Sequence, residues 1–106
     1  MASSQSTVDF LTDQVVGAGN IRSRKMFGEY AIYCDEKVVA LVCDDQLFVK
    51  PTEAGKKFLK HITEAPPYPG SKNYYWIDES KWEDGEWLTT LIEKTAAALP
   101  AKKTKK

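Results

Sequence analysis

Four short runs of β-branched and aromatic residues, 22–27, 30–34, 38–43 and 47–50, follow one another with only two or three residues between them. Gaps that short cannot hold a crossover connection, so successive runs are expected to pair antiparallel as a four-stranded meander. The separators are Gly28-Glu29, Asp35-Glu36-Lys37 and Asp44-Asp45-Gln46. Their residue types favour turns, because Asp side chains bond nearby backbone amides and glycine tolerates positive φ. The run 38–43 is apolar at every position, as expected of a central strand covered on both faces. The run 47–50 alternates less cleanly, ends in a charge and is stopped by Pro51.

The flanks change period. Val8, Leu11, Val15 and Ala18 recur at three and four residues and predict a helix over 6–18 with one apolar stripe. Ser6 and Asp9 have the spacing of a capping box, and Gly17-Ala18-Gly19-Asn20 supplies its stop. A second helix is expected over 52–62, with Ala54, Phe58 and Ile62 on one side, Lys56, Lys57 and Lys60 on the other, and Gly55 weakening it. The stretch Ala65-Pro66-Pro67-Tyr68-Pro69-Gly70 must be an extended loop, since its prolines remove donors and restrict their neighbours. A fifth strand follows over 72–77, then a helical turn at 79–82. Trp87, Leu88, Leu91, Ile92 and Thr95 define a closing helix that Pro100 ends. The order α-β-β-β-β-α-β-α predicts an α+β fold, a two-layer sandwich in which three helices cover one face of a mostly antiparallel sheet of about five strands. The folded domain is expected to span 4–100, followed by a disordered basic tail at 101–106.

The chain has 106 residues, 42% hydrophobic and 11% aromatic, enough apolar material for one core. Neither the opening Met-Ala-Ser-Ser-Gln-Ser nor any apolar run resembles a signal peptide or a membrane span, so a soluble, cytoplasmic protein without membrane contact is expected. Formal charge is zero, yet Lys102, Lys103, Lys105 and Lys106 sit in the tail. Without them 11 basic side chains face 15 acidic ones, a formal −4. An acidic body repels phosphate backbones. The two cysteines, Cys34 and Cys43, are expected to be free thiols. Across a hairpin at 35–37 Cys43 falls several residues beyond the partner of Cys34 and on the other face, too far for a disulfide.

Little in the chain asks for catalysis. Cys34, Cys43 and the single histidine, His61, do not form the clustered pairs of a zinc site. Asp35-Glu36, Asp44-Asp45 and Glu83-Asp84 read as turns, and Gly17-Ala18-Gly19 follows a helix where a phosphate cradle would need to precede one. The second half is rich in aromatics. Because alternate residues of a strand face opposite sides, Tyr74 to Ile77 cannot all be buried under one layer of helices. Tyr68, Tyr74, Tyr75 and Trp82 are therefore candidates for binding a protein partner. Arg22, Arg24 and Lys25 form the one basic cluster foreseen in the body. With Lys102, Lys103, Lys105 and Lys106 they are the candidates for weak nucleic-acid contact.

The ordered set Arg24-Lys25-Met26-Phe27-Gly28, Tyr30-Ala31-Ile32-Tyr33, Leu41-Val42-Cys43-Asp44-Asp45-Gln46-Leu47-Phe48-Val49-Lys50, Tyr74-Tyr75-Trp76 and Trp87 resembles the N-terminal domain of TfoX/Sxy competence regulators. The likeness covers about 8–99 and is to a single-domain member. Glu29 stands where the family usually has a second glycine. The resemblance implies an α+β sandwich in bacterial cytoplasm, no enzymatic activity and no cofactor. It also implies a link to the control of DNA transformation. A protein partner from the transcription machinery or a regulator is expected, with a homodimer as a further expectation. Full-length members of the family continue into a second, helical domain. The combined expectation is a non-catalytic interaction module, with weak direct nucleic-acid binding as the alternative.

Overall fold

The computed structural model describes residues 5–26 and 29–99. Phe27, Gly28 and the four tail lysines lie outside the described residues. The expected order is observed, with one short strand added: α1 (Gln5–Gln14), β1 (Ile21–Met26), β2 (Glu29–Cys34), β3 (Lys37–Cys43), β4 (Gln46–Val49), α2 (Glu53–Phe58), β5 (Glu64–Ala65), β6 (Tyr74–Ile77) and α3 (Gly85–Ala98). Short 3-10 turns occupy Val16–Ala18 and Glu79–Lys81. The strands form a single antiparallel sheet in the order β1-β2-β3-β4-β6-β5.

Both inner hairpins turn in two residues. Cys34 pairs with Lys37 and Cys43 with Gln46, and φ is positive at Asp35, Glu36, Asp44 and Asp45. Two successive left-handed residues match the right-handed twist of the flanking strands, and Asp tolerates that region better than most side chains. Lys37 and Gln46, expected in the turns, are therefore the first residues of their strands. Farther along β3 the register shifts: Ile32 faces Ala40 while Tyr33 faces Val38. Val39 is the extra residue of this β-bulge. It is fully buried, and its carbonyl accepts the Lys50 amide at 2.8 Å.

The core lies between the sheet and the helices. Val8, Leu11 and Val15 from the N-terminal helical segment join Leu88, Leu91, Ile92 and Ala96 of α3 against Tyr30, Ile32, Val42, Leu47, Val49, Tyr75 and Ile77 of the sheet. α1 already includes Ser6, which therefore does not stand ahead of the helix as the expected cap. Gln5 instead donates to the Asp9 carboxylate at 2.9 Å. α2 is shorter than expected because the backbone leaves the helical region at Leu59. Its start is capped by Thr52, whose hydroxyl accepts from the Gly55 amide at 2.9 Å. Gly55 is buried at the approach to α3. A Cβ there would lie 2.9 Å from the capping hydroxyl and 3.7 Å from Leu91 and Thr95 atoms, which accounts for glycine within a helix.

Candidate functional site

The register sorts the strands into two faces. Residues that pair directly share a face, so Ile32, Ala40, Val49 and Tyr75 point to the helices together with Tyr30, Val42, Leu47 and Ile77. Arg24, Ala31, Leu41, Phe48 and Trp76 make the central row of the opposite face, with Arg22, Tyr33 and Val38 on one side of it and Cys43 and Gln46 on the other. Ala31, Tyr33, Cys43 and Phe48 are buried without belonging to the main core, while Val38, Leu41, Tyr74 and Trp76 are only half covered. The second face is thus a partly filled, largely apolar surface that none of the described helices closes.

A groove of about 440 Å³ runs over this face, lined by Val38, Leu41, Cys43, Tyr68 and Tyr74, with Glu29 and Lys50 as its charged members. Tyr68 comes from the proline-rich loop and is 55% exposed. Burial raises the Tyr74 phenol above its ordinary range, helped by Tyr68 and Cys43 beside it. Burial also pushes the Cys43 thiol up to about 11, with the Glu29 and Asp44 carboxylates acting in the same direction. The Glu29 carboxylate accepts from the Asp44 amide at 3.3 Å. A thiol held protonated at neutral pH is a poor nucleophile, so the groove offers contact area and little reactivity.

Of the four aromatic candidates, the structure brings Tyr68 and Tyr74 together in the groove and places the other two in the core. Tyr75 is 6% exposed, and its hydroxyl reaches the Thr52 carbonyl at 3.4 Å. Trp82 is 7% exposed, with its indole N–H directed at the Ile77 carbonyl at 3.3 Å. Trp82 belongs to the main core, and Gln14 of α1 donates to its carbonyl at 2.6 Å. Both side chains are thus nearly sealed from solvent within the domain.

The cluster foreseen from β1 divides. Arg22 pairs with Glu36 at 2.8 Å and lies 5.5 Å from the Tyr33 ring centre. Arg24 is exposed on the same face. Lys25 pairs with Tyr30 in the ladder and so belongs to the opposite, helix-bearing face. Three lysines and the single histidine converge where the end of α2 meets α3. Lys57, Lys60, His61 and Lys81 surround a groove of about 570 Å³ floored by Phe58, Leu59 and Trp87. The sequence places Lys56, Lys57 and Lys60 on the outer face of one helix, whereas α2 ends at Phe58, and Lys57 within it and Lys60 beyond it reach the groove. Their meeting with Lys81 and Trp87, more than twenty residues away, has no local signal.

Among the described residues no group of three or more His, Cys, Asp or Glu side chains could hold a metal ion. Cys34 and Cys43 are free and buried on opposite faces of the sheet. Among the described residues no helix is long and apolar enough to cross a membrane.

Known proteins give the same fold a family. Residues 13–99 match the model of the TfoX N-terminal domain. An uncharacterized 12.7 kDa protein in the trpE 5' region of Spirochaeta aurantia is 42% identical over 106 residues, covering 100% of this chain and 91% of that protein. Protein Sxy of Escherichia coli K12 is 32% identical over 94 residues, which are 82% of this chain and 45% of Sxy. The chain therefore spans less than half the length of Sxy and matches the Spirochaeta protein almost end to end. On the extent of the family match and of these two likenesses, the chain belongs to the TfoX N-terminal domain family.

Proposed function

We propose that this protein is a non-catalytic regulatory module of the competence-regulator type, acting by contact with a protein partner through the sheet face that the helices leave open. The observation that supports this reading is the groove of Val38, Leu41, Cys43, Tyr68 and Tyr74. Its lining is mostly apolar, with Glu29 and Lys50 as its charged members. Tyrosines at its edge supply large contact area at low cost in side-chain entropy, as in many interface hot spots. The thiol inside it is held protonated and the Glu29 carboxylate accepts from the Asp44 amide, which supports contact rather than nucleophilic chemistry here.

The test is capture of the partner from native bacterial extract by the wild-type chain and by Tyr68→Ala. Tyr68 is largely solvent-exposed, so its removal leaves the fold intact, and thermal melts should coincide. Loss of a central interface tyrosine costs about 2 kcal/mol or more, so recovery of a specific partner should fall by about thirtyfold. Equal recovery by the two proteins would refute the assignment of this face.

A further inference from the structure

The groove between the end of α2, the turn Glu79–Lys81 and the start of α3 is separate from the sheet face and has its own chemistry. Lys57, Lys60, His61 and Lys81 line it, no carboxylate does, and Phe58 and Trp87 form part of its floor. Outside its tail the chain is acidic, which makes this convergence of cations unlike the rest of the surface. Among the described residues none of the three lysines forms an ion pair. Lys81 lies 5.5 Å above Trp87 and adds to the lowering of the Asp78 carboxyl that the Ser80 hydroxyl and amide chiefly cause, and Lys94 approaches Phe58 from outside the groove at 5.9 Å. A lysine resting on an aromatic face spends none of its three N–H donors on the ring's edge groups, so they remain to meet an arriving anion.

Two anionic partners fit such chemistry in principle, and the geometry separates them. A nucleic-acid strand would use a free aromatic face for stacking. Trp87 is already engaged within the domain: Phe58 is tilted against it with ring centres 5.6 Å apart, and the Lys81 ammonium lies 5.5 Å over the ring. A long polyanion would also have to run out over an acidic surface, which costs affinity at every phosphate beyond the groove. A short acidic peptide avoids both problems. Its carboxylates can meet the lysines, and one apolar side chain can rest against the edges of Phe58 and Trp87.

We propose that this groove binds an acidic peptide segment of a partner protein, carrying an aromatic or branched aliphatic residue between its carboxylates. The proposal rests on the reading of the chain as a protein-binding module and adds a second contact surface to it. The probe is a fluorescein-labelled blocked peptide of glutamate and aspartate around one phenylalanine, followed by anisotropy at about 50 mM salt, where screening is weak. Binding is expected, and the Lys57→Glu/Lys60→Glu variant should weaken it by about tenfold, a few-fold for each reversed exposed charge. Arg22→Glu and Tyr68→Ala should leave it unchanged. Failure of the wild-type chain to bind the peptide, or equal binding by the lysine variant, would overturn the proposal. So would an oligothymidylate that binds more tightly and displaces the peptide. None of these results would touch Tyr68-dependent partner capture, so the two assignments fail separately.

Discussion

Cys43 illustrates how position rather than residue type sets chemistry. At 4% exposure its thiol is desolvated, and the neighbouring carboxylates disfavour a thiolate further. Cys34, buried in the core against the Ala18 carbonyl, is raised for the same first reason, with Asp35 adding to it. The folded chain therefore holds these protons longer than the unfolded one. Since the folded pKa of Cys43 lies near 11 against an ordinary 9.0, its contribution to stability is complete below about pH 9 and fades as pH rises through about 11. Urea denaturation at a series of pH values should show wild type losing more stability over that window than Cys43→Ala, with parallel curves as the contrary result. Asp78 is displaced the opposite way, because the Ser80 hydroxyl and amide both donate to its carboxylate.

At the scale of elements, α3 depends on its neighbours. It has no basic residue in its last turn, where a cation would offset the helix dipole. Lys37 of β3 takes that place, its ammonium donating to the carbonyls of Ala96 at 2.8 Å and Leu99 at 3.2 Å. Two charge-assisted hydrogen bonds at a partly buried helix end should contribute about 1–2 kcal/mol. Lys37→Met is expected to lower the melting temperature by about 4–15 °C for a domain of this size. Lys37→Arg should lose less, and a Lys37→Met melt matching wild type would show that the contact contributes nothing. The other end of α3 is held by Asp84, which accepts from the Trp87 amide at 3.2 Å. Thr89 fastens it to α1 by donating to the Gln14 carbonyl at 3.0 Å.

For the whole molecule, one side of the sheet provides stability and the other provides surface. Trp82 and Tyr68 mark the contrast. Trp82→Ala should cost about 3–5 kcal/mol, a large part of the roughly 5–15 kcal/mol that holds such a domain together, whereas Tyr68→Ala should leave the melt unchanged. If Trp82→Ala melted like wild type, the described core would be mistaken. The local sequence determined the meander, its turns, the three helices and the two-layer plan, because those follow from the period of apolar residues and from turn formers a few positions apart. It also determined that Tyr74 and Tyr75 must face opposite ways. Only the tertiary structure decided which of them is buried, since that depends on which face the helices choose. The bulge at Val39, the edge strand at Glu64–Ala65, the capping of α3 by Lys37 and the gathering of Lys57, Lys60 and Lys81 around Trp87 were likewise decided there. Each joins residues distant in the chain, and the energies that settle such contacts arise only once the elements are packed together.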